Sequence, residues 1–158
     1  MGKARALASA AILVAGAVAL VYLYTRPGEE ERIRRLFAAA EQAVEQRNLR
    51  KVMRLVSPDY HDPAGADYND VREAFRRAFA TTWRFRVTIF DLRVALTGGG
   101  GAVARAYVVV DVLGLGGVRQ YRLQGPMKFD LAKESGRWRV ISSEGAQEMV
   151  RRSGFELP

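Results

Sequence analysis

The 158-residue sequence predicts an α+β fold. Three N-terminal helices pack on one face of an antiparallel sheet of about four long strands, preceded by one transmembrane helix. Three observations predict this. An uncharged apolar run opens the chain, apolar residues then recur at helical spacing as far as Phe79, and after Thr82 the period changes to two.

The opening run extends from Ala6 to Tyr24, nineteen residues without a charge. At about 1.5 Å per residue such a helix roughly matches a hydrocarbon core about 30 Å thick. Lys3 and Arg5 precede it, Glu29, Glu30 and Glu31 follow it, and Tyr22 and Tyr24 sit at its outer end. The positive-inside bias then predicts residues 1–5 in the cytoplasm, a signal-anchor at 6–24, a linker at 25–28 and an extracytoplasmic domain at 29–144, with a tail at 145–158. The lipid bilayer is thus the first expected partner, and a bacterial inner membrane with a periplasmic domain the expected location. Small-x-small triplets such as Ala15-Gly16-Ala17 fall inside the apolar run instead of after it, which favours an uncleaved anchor over a signal peptide.

Beyond Arg26-Pro27-Gly28, three carboxylates favour a helix start, and Ile33, Leu36, Phe37, Ala40 and Val44 form one stripe as far as Arg47. A short helix carrying Leu49, Val52, Met53 and Val56 is stopped by Ser57-Pro58. Asp59 to Asn69 is polar and turn-rich, with Tyr60-His61 as a very short strand. Asn69 or Asp70 then caps a third helix with Val71, Ala74, Phe75, Ala78 and Phe79 on one side.

In the first strand Trp83, Phe85, Val87 and Ile89 alternate with Arg84, Arg86 and Thr88. The phase slips at Phe90-Asp91 and resumes with Leu92, Val94 and Leu96, the sequence mark of a β-bulge. Gly98 to Gly101 turns into a strand with Ala104, Ala106, Val108, Val110 and Val112 on one face, and Gly114 to Gly117 turns again. Tyr121, Leu123, Met127, Phe129 and Leu131 face inward on the third strand, where Gly125-Pro126 predicts a bulge or an edge. Ser135-Gly136 leads to a last strand with Trp138, Val140 and Ser142 inward. The tail is weakly helical and then loose.

Composition narrows the function. No Cys is present, which excludes disulfides, thiol catalysis and thiolate metal sites. Three of the 25 Lys and Arg residues flank the apolar run, so the domain, with 17 Asp and Glu, is only mildly cationic. Its charge is scattered, and no nucleic-acid partner is expected. The glycine runs have neither a following helix nor a Lys-Ser/Thr pair and are not phosphate loops.

The order of elements resembles the nuclear transport factor 2-like superfamily, also called the SnoaL-like or cystatin-like cone. The resemblance rests on the opening helix, Leu55-Val56-Ser57-Pro58, Asp59-Tyr60-His61-Asp62, the helix at Asp70–Phe79, the strands from Trp83, and Ser135-Gly136-Arg137-Trp138-Arg139-Val140. It implies a sheet wrapped around the helices with a pocket at the wide end. Members include isomerases, dehydratases, polyketide cyclases and proteins that only bind a partner, so it leaves the function open.

The expected pocket lining is Trp83, Phe85, Val108, Tyr121, Phe129 and Trp138, suited to a small apolar ligand. His61, Asp62 and Tyr60 form the titratable cluster, and Asp91 at the bulge is the other carboxylate able to turn inward; each is a weak candidate for acid–base work. Asp59 and Asp62 read equally well as turn residues. An oxygen-rich cation site at Asp59, His61, Asp62 and Asp67 lacks the acidic alternation of a calcium loop, so no metal and no cofactor are expected. Arg84, Arg86, Arg105, Arg119, Arg122, Lys128, Arg137 and Arg139 project from the other sheet face, as a solvated surface or toward anionic lipid, acidic glycan or an acidic partner. Val109 and Ile141 there leave room for a homodimer or an envelope protein contact. The sequence therefore favours a membrane-anchored, non-catalytic ligand- or protein-binding domain. The alternatives are a small isomerase, dehydratase or cyclase using His61 or Asp91, and a structural dimerisation domain.

Overall fold

The computed structural model describes residues 28–155. The expected cytoplasmic segment, the anchor at 6–24 and residues 25–27 of the linker lie outside them, as do residues 156–158. Among the described residues no helix is long and apolar enough to cross a membrane.

Helix α1 spans Glu29–Glu45, α2 Leu49–Met53 and α3 Tyr68–Ala80; strands β1 Arg84–Gly98, β2 Gly101–Leu113, β3 Arg119–Glu134 and β4 Arg137–Glu144 follow, and α4 spans Ala146–Ser153. The strands form one antiparallel meander in the order β1-β2-β3-β4. Antiparallel pairing lets short turns join neighbours, and the chain uses Gly98 to Gly100, all at positive φ, for the first of them.

Helix α1 buries Ile33, Leu36, Phe37 and Ala43 in one stripe. Arg47, with φ of 53°, reverses the chain, and Asn48 caps α2 by accepting from the Lys51 amide at 3.0 Å. The α3 cap is Asp67, slightly earlier in the chain than Asn69 or Asp70. Asp67 accepts from the Asn69 and Asp70 amides, while Asp70 accepts from the Asp67 amide, a reciprocal capping box.

The bulge in β1 stands where the phase slip placed it. Phe90 pairs with Tyr107 and Arg93 with Arg105, and Asp91 is left-handed at φ 51°. A second register shift, between Asp130 and Leu131, corrects the reading of β4. Ser142 pairs with Asp130 on the outer face, and Ser143, beside Phe129, takes the inward place expected of Ser142. At Gly125-Pro126 no register shift occurs on the β2 side; there β3 has run past the end of β4 and is a local edge.

The tail is also more ordered than its composition suggested. Helix α4 lies against β3 and buries Met149, and Phe155 beyond it is 7% exposed. Two glycines permit this. A Cβ on Gly125 would stand 3.0 Å from Met149 Cγ, and one on Gly145, at φ 108°, would stand 2.4 Å from the Pro126 carbonyl oxygen.

Both free rims of the sheet are occupied in part. Along β4, the Ser57 amide donates to the Val140 carbonyl at 2.9 Å, and the His61 amide to that of Ile141 at 3.0 Å. Along β1, the Ile89 amide donates to Glu41 Oε1 at 2.7 Å and Arg34 donates to the Leu92 carbonyl at 2.9 Å.

Candidate functional site

The loop before α3 is held by its own carboxylates. Asp62 Oδ1 accepts from the Ala64 and Ala66 amides at 2.9 Å each, an Asx turn, and Asp67 is the α3 cap. Both are therefore occupied structurally, and Asp59 and His61 are exposed. Tyr60 is the member that turns inward. It is 6% exposed, its hydroxyl lies 2.7 Å from Ser143 Oγ, and burial pushes its pKa above the ordinary tyrosine value, so it stays a neutral phenol. The geometry separates Tyr60 from His61 and Asp62 instead of gathering them. Among the described residues no three His, Asp or Glu side chains converge as metal ligands.

The inward side chains gather into packed clusters. Trp138, expected to share a pocket with the other five aromatic and apolar residues, lies at the opposite end of the sheet. It clusters with Ile33, Leu36, Phe37 and Leu131, and its indole Nε1 donates to Glu29 Oε2 at 2.7 Å. Lys133 Nζ donates to the other Glu29 oxygen at 2.8 Å. These two bonds, the lysine's first, hold the Glu29 carboxyl below its ordinary pKa of 4.5. Phe85 and Val108 belong to a second cluster with Met149 and Phe155. Phe129 touches both clusters and meets Phe37 edge-on at 5.0 Å. At the wide end Phe155 sits 5.6 Å from Trp83 and 5.4 Å from Tyr121, ring centre to ring centre. Strands of this length put the six residues in two clusters, and the tail fills the space that the earlier helices and the strands leave. Phe155 and Met149 were absent from the sequence reading, since one Met and one Phe in a polar tail carry no period.

The open concavity lies on the other side of the sheet. A trough of about 540 Å³ is lined by Asp91 and Arg93 of β1, Arg105 and Tyr107 of β2, Pro126 and Lys128 of β3, and Glu144. Its position follows from the register, because outward residues align in rows across the strands. Arg86, Asp111 and Arg122 form one row, Phe90, Tyr107 and Pro126 a second, and Arg93, Arg105, Lys128 and Glu144 a third. Phe90 is 49% exposed and Tyr107 39%. Arg122 forks onto Asp111 at 2.7 and 3.1 Å, and this bond lowers the Asp111 pKa. Lys128 is held between Glu144 at 2.8 Å and Asp130 at 3.3 Å. Arg93, missing from the basic residues singled out in the sequence, was implied by the bulge, since inward Leu92 and Val94 leave it outward. Asp91 is exposed at the trough's rim and does not reach the interior.

No family model matches the sequence, and no curated protein is significantly similar to it. Solved structures do resemble the fold. Aln2 from a Streptomyces species superposes with a TM-score of 0.67 at 14% identity, over 80% of this chain and 97% of Aln2. A Novosphingobium aromaticivorans protein provisionally named a scytalone dehydratase gives 0.65 at 14%, over 73% and 80% of the two chains. A nuclear transport factor 2-like protein of unknown function from Pseudomonas putida gives 0.57 at 19%, over 70% and 80%. At these identities the likeness establishes a nuclear transport factor 2-like, cystatin-like fold and nothing about activity.

Proposed function

We propose that this chain is a non-catalytic binding domain, tethered to a bacterial inner membrane by residues 6–24 and facing the periplasm, that meets its partner across the outer face of its sheet. The observation that supports this most is the contrast in filling: aromatic side chains occupy the interior, whereas the outer face presents the Phe90–Tyr107–Pro126 row beside the Arg93–Arg105–Lys128 row. Exposed aromatics rimmed by arginine are what protein contact surfaces favour. An enzymatic reading has little support, since His61 and Asp91 are exposed and neither borders an enclosed space. Gly28 lies next to Glu29, which is bound to Lys133 and Trp138 at the β3–β4 hairpin, so the tether joins the domain at that end.

The test uses the full chain in cells. A photoreactive residue at position 107 gives a discrete crosslinked product, either with a second copy or with an envelope protein, and the same residue at exposed Arg76 on α3 does not. Equal products from both positions, or none from position 107, overturn the surface assignment. Because the chain has no Cys, Ser135→Cys introduces a single thiol. A membrane-impermeant maleimide labels it in spheroplasts if the domain is outside the cytoplasm; labelling only after lysis overturns the placement.

A further inference from the structure

Arg93 and Arg105 stand directly opposite each other on adjacent antiparallel strands, both exposed. Side chains so placed have Cβ atoms about 5 Å apart, and like charges there repel. Other charges on this face are matched: Asp111 holds Arg122 and Arg119, and Lys128, the next residue in the row, lies between two carboxylates. Among the described residues, neither Arg93 nor Arg105 has a carboxylate within ion-pair distance. The pair depends on the bulge, because an unbulged continuation of the Phe90–Tyr107 register would place Leu92 opposite Arg105. Asp91 itself is held left-handed, a conformation that costs a non-glycine residue about 1 kcal/mol and tends to persist where a site uses it.

The trough above this pair has the size of a small-molecule site. Its three kinds of wall point to one class of ligand. Paired guanidinium groups present forked donors that match the oxygens of a phosphate. Tyr107 and Pro126 give a flat apolar side, against which the C–H face of a polyol packs. Asp91, whose carboxylate accepts no hydrogen bond from a described residue, stands at the rim as an acceptor for hydroxyl groups. We propose that this outer-face trough binds a phosphorylated polyol, with Arg93 and Arg105 holding the phosphate, Asp91 a hydroxyl and Tyr107 the carbon skeleton. A soluble sugar or glycerol phosphate and the glycerophosphate headgroup of an anionic lipid share this chemistry. The inference goes beyond the contact surface proposed above, and its binding assay does not depend on the crosslinking result.

The test is isothermal titration of the full chain, held in phosphatidylcholine nanodiscs at constant ionic strength, with sn-glycerol 3-phosphate and with inorganic phosphate. Saturable binding of both is expected. Arg93→Gln and Arg105→Gln each weaken it roughly tenfold or more, and Arg84→Gln, at the far end of the same face, changes it by less than about twofold. Asp91→Asn, which keeps the left-handed backbone accessible, weakens glycerol phosphate selectively and leaves inorganic phosphate unaffected. In phosphatidylglycerol nanodiscs, a lowered apparent affinity for glycerol phosphate assigns the trough to lipid headgroups, and an unchanged one assigns it to a soluble ester. The ligand-free Arg105→Gln protein melts at or above the wild-type temperature, because a repulsion is removed. No saturable binding up to about 10 mM, or equal loss in Arg84→Gln, overturns the site.

Discussion

The two faces of the sheet are drawn from the same strands, one residue apart, and do opposite things. Inward residues bury themselves against the first and third helices, the tail helix and the chain end; Ala104 and Val112 are 0% exposed and Leu131 1%. Outward residues leave an aromatic row and an unmatched arginine pair over an open trough. In this cone the inner face is gathered into side-chain clusters and an open trough lies on the outer face. What decides this is a short C-terminal segment that contributes one methionine and one phenylalanine to the cone's wide end.

If the inner face is the structural one, Leu131→Ala costs about 3 kcal/mol of unfolding free energy by urea titration, whereas Tyr107→Ala on the outer face stays within about 0.5 kcal/mol. Similar losses at the two positions would mean that the outer face is part of the core. Phe155→Ala costs less, about 2 kcal/mol, since the residue lies near the chain's end. It also exposes Trp83, so acrylamide quenching of tryptophan fluorescence rises. No change in either readout would mean that the tail leaves the wide end open, and the interior would return as a ligand site.

The smallest effect is the acid response of the hairpin end. The Glu29 carboxyl is depressed by Lys133 and then by Trp138, so its contribution is present above the ordinary value of 4.5 and lost as the pH falls through the lower, folded value. Glu29→Gln should therefore flatten the loss of thermal stability below pH 4.5. The same acid slope in variant and wild type would assign that loss to other carboxylates.

Much of this was legible in the sequence, for stated reasons. The β1 bulge was readable because large apolar side chains stand on both sides of it, so a slip of one residue shows. The β4 shift was not, since it falls at Ser142 and Ser143, two identical small polar residues with no preference to betray which is inside. Gly125 read as an interruption because what it provides is an absence, the socket for Met149, and the filler comes from a helix well down the chain. Facing directions follow from local periodicity. Whether a faced-in side chain meets a partner or an empty space depends on segments remote in the chain, as the tail shows by bringing Met149 and Phe155 to the wide end. The Asp59–Asp67 cluster was legible as turn chemistry, and its carboxylates do serve as an Asx turn and a cap.

The occupied rims of the sheet carry one more consequence. A strand arriving beside β1 would have to evict Glu41 from the Ile89 amide and Arg34 from the Leu92 carbonyl, and one arriving beside β4 would meet the chain already lying there. Fibre-like growth by sheet continuation is thereby discouraged along these stretches of the two borders. A neighbouring molecule meets fewer obstacles from above the strands, on the surface that carries the aromatic row and the arginines.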